Sequence, residues 1–205
     1  MNFGILNNIF NKGFTKSEIE KIGNSLIYIT SRLGEIPKTK ALKLLYFLEE
    51  KSINDTGVPF FGLEWKVWKL GPVDQTIYSE FSNSPDLLRE YIDVSFYENN
   101  ICILKGKKEF CDDEFSDYDL ILLEKVLDSL GHLNATELSS LTHKKGGLWH
   151  KVATEKGLLE KFSLGLQTTS DYHIEFLDLI KSDKFKTQMF NNYFDLKGVD
   201  RQYSF

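Results

Sequence analysis

Four histidines, two cysteines and a run of acids are the residues in this chain best equipped for chemistry. His132, His143, His150 and His173, with Cys102 and Cys111, include no close-spaced ligand pair such as Cys-x-x-Cys or His-x-x-x-His, so no metal site is expected. Gly146-Gly147 reads as a turn and not as part of a phosphate-binding loop. Neither a Gly-x-Ser-x-Gly elbow nor a Cys–His nucleophile signature occurs. No catalytic residue and no cofactor are therefore expected, and an enzyme with an unrecognised site stays only as an alternative. His143 with Trp149 has the look of a site. The preferred reading is a helix-end histidine whose proton bonds the last carbonyls, with the indole packed behind it. Asp112-Asp113-Glu114 and Asp117 read as a solvated loop or a dock for a basic partner surface.

The aromatic side chains offer a different chemistry, that of partner anchoring. Tyr46, Trp68, Tyr78 and Trp149 are either core rings or an exposed patch that seats another protein, since Trp and Tyr dominate interface energetics. Trp68 leads this set because strand alternation turns it away from the Trp65 face. Lys43 joins the same candidate partner-binding region, with Lys40, Lys66 and Lys69 as neighbours that also read as plain solvated charges.

The elements that must position these residues follow from periodicity and punctuation. Phe3, Leu6 and Phe10 predict a short amphipathic helix ended by Gly13. Thr15 and Glu18 form a capping-box pattern for a helix carrying Ile19, Ile22, Leu26 and Ile29 on one stripe, closed by Gly34. Pro37 opens the next helix, which runs to about Ser52 with Leu42, Leu45, Tyr46 and Glu49 on one face. Leu63 to Leu70 reads as a strand. Gly71-Pro72 then stops the strand and starts a helix with Val73, Ile77 and Phe81 on its stripe. Ser84-Pro85 restarts a short helix through Tyr91. Residues 101–104 and 109–111 read as two arms around Lys105-Gly106-Lys107, which would bring Cys102 near Cys111 as free thiols. Tyr118 to Leu130, apolar on several faces, is expected to be the most buried helix. Asn134 and Glu137 cap a helix ending near His143, and another runs from about Leu148 to Gly157. The strands are expected to form one small antiparallel sheet in a mainly α protein.

The net charge of −5 over 205 residues argues against a phosphate-backbone binder and suits a basic protein partner better. No apolar run reaches membrane-spanning length, and the first residues lack a signal-peptide pattern, so a cytoplasmic protein is expected. After Ser163 the character changes. Residues 167–170 form a polar link, and Tyr172 to about Phe194 is expected to be helical, broken near Ser182-Asp183. Its rings at Phe176, Phe185, Phe190 and Tyr193 must bury on this chain's own core, on a partner, or on a second copy. Residues 1–160 are thus read as one domain and 161–205 as an aromatic-rich helical extension.

Three segments in order resemble the Panacea domain of SocA-like antitoxins and phage-associated GepA-like proteins. Lys40 to Phe47 is similar to the family's Lys-Leu-x-Lys-Leu-Leu-Tyr-Phe helix. Trp68, Gly71, Pro72, Val73, Ile77, Tyr78 and Phe81 follow its Trp-x-Tyr-Gly-Pro-Val pattern, with Leu70 in place of the Tyr. Leu138-Ser139, Thr142-His143 and Trp149 follow its third hallmark, with Leu148 in place of a Pro. The resemblance covers roughly residues 18–157. It implies a mainly helical fold with a small sheet, and neutralisation of a protein toxin, encoded next to it, by direct binding. In the SocA-like branch it also implies delivery of the toxin to a protease.

Overall fold

The computed structural model describes residues 13–97 and 101–198. The expected helix over Phe3–Phe10, and the rings Tyr203 and Phe205, lie outside the described residues.

Helix α1 (Lys16–Leu33) starts where the sequence says it should. Thr15 accepts from the Glu18 N–H, and Glu18 reaches back to the Thr15 N–H at 2.7 Å. Strand β1 (Ile36–Pro37) is brief, and Pro37 then caps α2 (Lys38–Thr56) from just outside its first turn. Helix α2 is the centre of the molecule. It touches α3, α4, α5, α8 and α9 as well as strands β1, β3 and β5, so residues on nearly every face of it are buried. The helix expected to be most buried, α4 (Asp117–Leu130), packs instead by one stripe, Leu122, Leu123, Val126 and Leu127, because α2 already occupies the middle.

Strand β2 (Trp65–Trp68) pairs antiparallel with β3 (Gly71–Asp74), Trp68 facing Gly71 and Lys66 facing Val73. This corrects the expected helix start at Pro72. A proline is tolerated on the edge strand of a hairpin, and Asp74 is the better helix cap. Its carboxylate accepts from the Ile77 N–H and the helix, α3 (Gln75–Ser82), begins one residue later. Residues 84–91 are turns and not a helix. The Glu80 carboxylate accepts from the Asp86 and Leu88 N–H groups and so satisfies donors a helix would have used internally.

Strand β5 (Cys102–Gly106) lies between β1 and β4 (Ile92–Phe96) in a second, three-stranded antiparallel sheet. Among the described residues there are thus two small sheets, not one. The expected second arm, Glu109–Cys111, is not a strand: the Cys111 N–H goes to the Asn24 side chain. Cys102 is buried, Cys111 exposed, and both are free thiols. Gly106 and Gly23 let the elements close up. A Cβ on Gly23 would lie 2.2 Å from the Tyr91 ring, so α1 can sit against Tyr91 only without one.

Helices α5 (Ala135–Thr142), α6 (Leu148–Glu155) and α7 (Leu158–Ser163) follow, with Asn134 and Glu137 forming the expected capping box on α5. The extension then departs from expectation in an informative way. Residues 168–174 run extended along the free edge of β2. The Lys69 N–H donates to Thr168 O, the Val67 N–H to Tyr172 O and the Ile174 N–H to Trp65 O, at 2.8–2.9 Å. Pairing the β2 edge satisfies more backbone than a helix begun at Tyr172 would have left exposed. Among the extension's described residues after the strap, α8 (Leu177–Ile180) and α9 (Lys184–Leu196) are the helical stretches. Ile174, Phe176, Ile180, Phe190 and Phe194 all join the same core as α1 and α2. Phe185 stays exposed.

Candidate functional site

The three sequence hallmarks meet around one lysine. Lys43, on α2, is 1% exposed, and its Nζ donates to Pro72 O of β3 at 3.0 Å. The approach depends on Gly71. Its φ is +107°, and a Cβ there would stand 2.7 Å from both Lys43 Nζ and Thr142 Oγ1. Thr142 ends α5, its hydroxyl donating to Ser139 O, and His143 caps the helix through its backbone N–H. The imidazole does not bond the last carbonyls as the sequence reading had it. It lies against the Trp149 ring, centroids 3.9 Å apart, with Nε2 buried and without a hydrogen-bond partner. Trp149 is itself buried. Its Nε1 donates to Trp68 O at 2.9 Å, and its far side stacks with Phe162 of α7.

The electrostatics of this knot favour neutral forms. Burial brings the Lys43 ammonium down to about 7, and among the described residues no carboxylate pairs with it to restore the charge. Burial also brings His143 down to about 4, reinforced by Lys43 and then His150. Such a group of side chains can hold the hairpin, α2 and the α5–α6 turn in register.

Of the five candidate partner-binding residues, three are therefore core: Lys43, Trp149 and Tyr46. Tyr46 is 1% exposed, edge-on to Trp65 at 5.3 Å, with its hydroxyl donating to Glu50 at 2.8 Å. They offer no surface in this conformation. Trp68 and Tyr78 keep some. Their rings meet edge to face at 5.0 Å, Lys38 Nζ lies over the Tyr78 ring, and Trp68 Nε1 donates to Ser170 O. Beside Trp68 opens a crevice of about 650 Å3 lined by Gln75, Gln167, Thr169, Ser170, Asp171 and Tyr172. The strap at 168–174 thus forms one wall of the only candidate ring pair with a view of solvent.

A second buried charge escaped the sequence reading. Glu49 sits at the other end of α2 and accepts the N–H groups of Phe61, Gly62 and Leu63 at 2.7–3.1 Å. Burial raises its carboxyl to about 7 against the pull of those three donors. The signal was present: Glu49 falls on the same stripe as Leu42, Leu45 and Tyr46, where a carboxylate must find donors or stay neutral. Above it lies a groove of about 1090 Å3 between α1, the 58–64 loop and α9, with Lys21 over the Phe60 ring. Of the acidic run, Glu114 accepts from Ser17, while Asp112, Asp113 and Asp117 are exposed. Among the described residues, no three His, Cys, Asp or Glu gather as metal ligands, and no helix is long and apolar enough to cross a membrane.

The comparisons with known proteins agree with the convergence of the hallmarks. Residues 42–150, which contain Lys43, the β2–β3 hairpin, Thr142-His143 and Trp149, match the family model described as "Antitoxin SocA-like, Panacea domain". The antitoxin SocA of Caulobacter vibrioides (strain NA1000 / CB15N) is 28% identical over 149 residues, which is 71% of this chain and 70% of that protein. No solved structure matches. With its three hallmark segments closed on one buried knot and more than half its length matched, this chain belongs to the SocA-like Panacea-domain antitoxin family.

Proposed function

We propose that the chain neutralises a protein toxin by binding it directly, as a stoichiometric blocker and not as a catalyst. One observation supports this above the others. The hallmark residues of an antitoxin family are spent here on a scaffold, in which Lys43 is 1% exposed and bonded to a backbone carbonyl and His143 has its Nε2 buried against Trp149. A scaffold of that kind presents surfaces. Trp68 and Tyr78 are the proposed contact rings, with Lys43, Tyr46 and Trp149 acting behind them as supports. The toxin is expected to be the product of a neighbouring reading frame, in the cytoplasm.

Co-expression of the chain with that neighbour tests the reading. The two should co-elute, and inhibition of the purified toxin should saturate at a fixed molar ratio with no protease present. Inhibition far below that ratio would mean turnover and overturn the blocker. Inhibition that appears only when a protease is added would replace blocking by delivery for degradation.

A further inference from the structure

Segments 65–73, 138–154 and 161–170 contain no Asp or Glu. They carry Lys66, Lys69, Lys144, Lys145, Lys151 and Lys161 in a chain whose net charge is −5. The fold brings the three segments together around Trp149. Its Nε1 holds the carbonyl of Trp68 from the first segment, its ring lies 3.9 Å from His143 of the second, and 6.1 Å from Phe162 of the third. The Lys69 N–H donates to Thr168 O at 2.9 Å, and a Cβ on Gly71 would touch Thr142, so the β2–β3 turn is flanked by both of the other segments.

The turns that radiate from this centre end in bare leucines. Leu70 is 64% exposed, Leu164 63% and Leu166 75%, with Leu141 at 42% on the last turn of α5. Single exposed leucines are ordinary; several on turns tied together by the Lys69–Thr168 hydrogen bond and the close approach of Gly71 to Thr142 are the pattern an interface uses. Within the three segments the charge is one-sided, with Glu64, Asp74, Glu137, Glu155, Glu160 and Asp171 standing at their ends. Lys66 and Lys151 are answered by Asp171 and Asp178 from outside the three segments. Lys69, Lys144, Lys145 and Lys161 have no carboxylate within ion-pair distance among the described residues; Lys108, Lys125, Lys156 and Lys184 elsewhere share that condition, but none of those four lies in the three segments gathered around Trp149.

We propose that this lysine-rimmed, leucine-tipped face, continued by Trp68 through the crevice it shares with Gln167 and by Tyr78 against the Trp68 ring, is the toxin-docking surface, and that the toxin segment seated on it is acidic and amphipathic. Its apolar side chains cover Leu70, Leu141, Leu164 and Leu166, and its carboxylates pair with Lys69, Lys144, Lys145 and Lys161. The inference rests on the direct-binding reading above and gives that reading a place and a partner chemistry. A nucleic acid would satisfy the lysines through its phosphates but leave the leucines wet. An acidic protein segment uses both, and the uncompensated lysines would steer it in.

The test measures binding of the purified product of the neighbouring reading frame to the full chain and to three variants that melt like the parent. Lys144→Glu/Lys145→Glu is expected to weaken the dissociation constant by about tenfold or more, chiefly through a slower on-rate. Leu164→Ser/Leu166→Ser is expected to weaken it by about tenfold through a faster off-rate. Lys125→Glu/Lys184→Glu, an equal charge change at exposed lysines away from this face, should stay within about twofold. Parental binding by the first two variants would overturn the docking surface and leave direct neutralisation standing. If the parent chain itself does not bind, both fall. Retention of a 20-base-pair DNA duplex by the parent, lost in Lys144→Glu/Lys145→Glu while toxin binding persists, would assign the lysines to nucleic acid instead.

Discussion

Lys43 and Glu49 lie on one helix less than two turns apart, each 1% exposed, and the molecule buries them by opposite means. Glu49 receives three backbone N–H donors from consecutive residues and in return closes the 58–64 loop. Lys43 receives a single carbonyl and no counter-charge. Donors in a tight turn can converge on one carboxylate, so an acid can be well satisfied without an ion pair. An ammonium with one acceptor stays costly as a cation and shifts toward neutrality. The acid is therefore a clamp, and the lysine is a spacer with a polar tip.

The roof over the two ends differs as well, and removing one roof gives the largest expected effect. The Glu49 end is covered by α9, where Tyr193 donates to Phe61 O and Lys197 pairs with Glu18. The Lys43 end is covered by α5 and α6. Truncation after Ser163 removes Ile174, Phe176, Ile180, Phe190 and Phe194 from the core. At roughly 1.5–3 kcal/mol for each buried side chain, the loss is comparable to the whole stability of a typical domain. The truncated chain should lose cooperative thermal unfolding and expose the groove above Glu49. A truncated chain with the parental melting midpoint would show that the extension is an accessory and that the clamp needs no roof.

Next in size is the clamp itself. Glu49→Ala leaves three N–H groups without an acceptor, two of them buried and that of Gly62 half-buried, at roughly 1–3 kcal/mol for each that does not reach water. A loss of more than about 3 kcal/mol in denaturant unfolding is expected, with Glu49→Gln in between because its one carbonyl oxygen replaces two. A loss below about 1 kcal/mol would mean that the loop reopens to solvent at little cost.

The Lys43 end should break by crowding and not by lost hydrogen bonds. Gly71→Ala places a Cβ 2.7 Å from Lys43 Nζ and Thr142 Oγ1 at a φ of +107°, and roughly 2–3 kcal/mol is expected. Pairing it with Lys43→Ala makes room, so the double variant should cost less than the sum of the singles. Strict additivity would place the whole cost in the backbone and none in the contact with Lys43.

How far these features were legible in the sequence follows the same division. The capping boxes at Thr15 and Asn134 were readable because they are local pairs at fixed spacing. The family's helix and hairpin segments were readable as patterns, yet Pro72 was placed on a helix because a proline has no N–H to lose at a first helical position. The hairpin pairing of Pro72 with Val67 decides otherwise. Tyr46, Lys43 and Trp149 were read as possible surface because rings and lysines on a helix have two faces to choose from. Nothing local says that α2 is surrounded on all sides. The strap at 168–174 was invisible for a related reason: its polar residues bond a strand edge about a hundred residues away. Glu49 is the lesson in the other direction. A carboxylate on an apolar stripe was in plain view, and asking where its donors come from would have found the clamp.

At neutral pH the smallest effect belongs to Lys43→Met, and its value lies in the pH dependence. The variant forfeits one hydrogen bond to Pro72 O but also removes the desolvation of an ammonium, so stability near pH 7 should change by no more than about 1–2 kcal/mol. Lys43 falls from its ordinary 10.5 to about 7 in the folded chain. Between these values the unfolded chain holds a proton that the folded chain does not, so the parent gains stability as pH rises from 7 to 10.5 and loses it again as pH falls through 7. Glu49, raised from 4.5 to about 7, works the other way: its contribution is present below 4.5 and is lost as pH rises to 7. Measured as parent minus variant, Lys43→Met should show a difference that climbs toward alkaline pH, on the order of 1 kcal/mol per unit. Glu49→Gln should show one that falls across the acid window instead. Tyrosines such as Tyr118, pushed up to about 12, titrate in parent and variant alike and cancel in the difference. Parallel stability curves for the parent and Lys43→Met from pH 7 to 10 would mean that the buried lysine keeps its proton when folded. It would then need a counter-charge that the contact with Pro72 does not provide, and the contrast between the two ends of α2 would collapse.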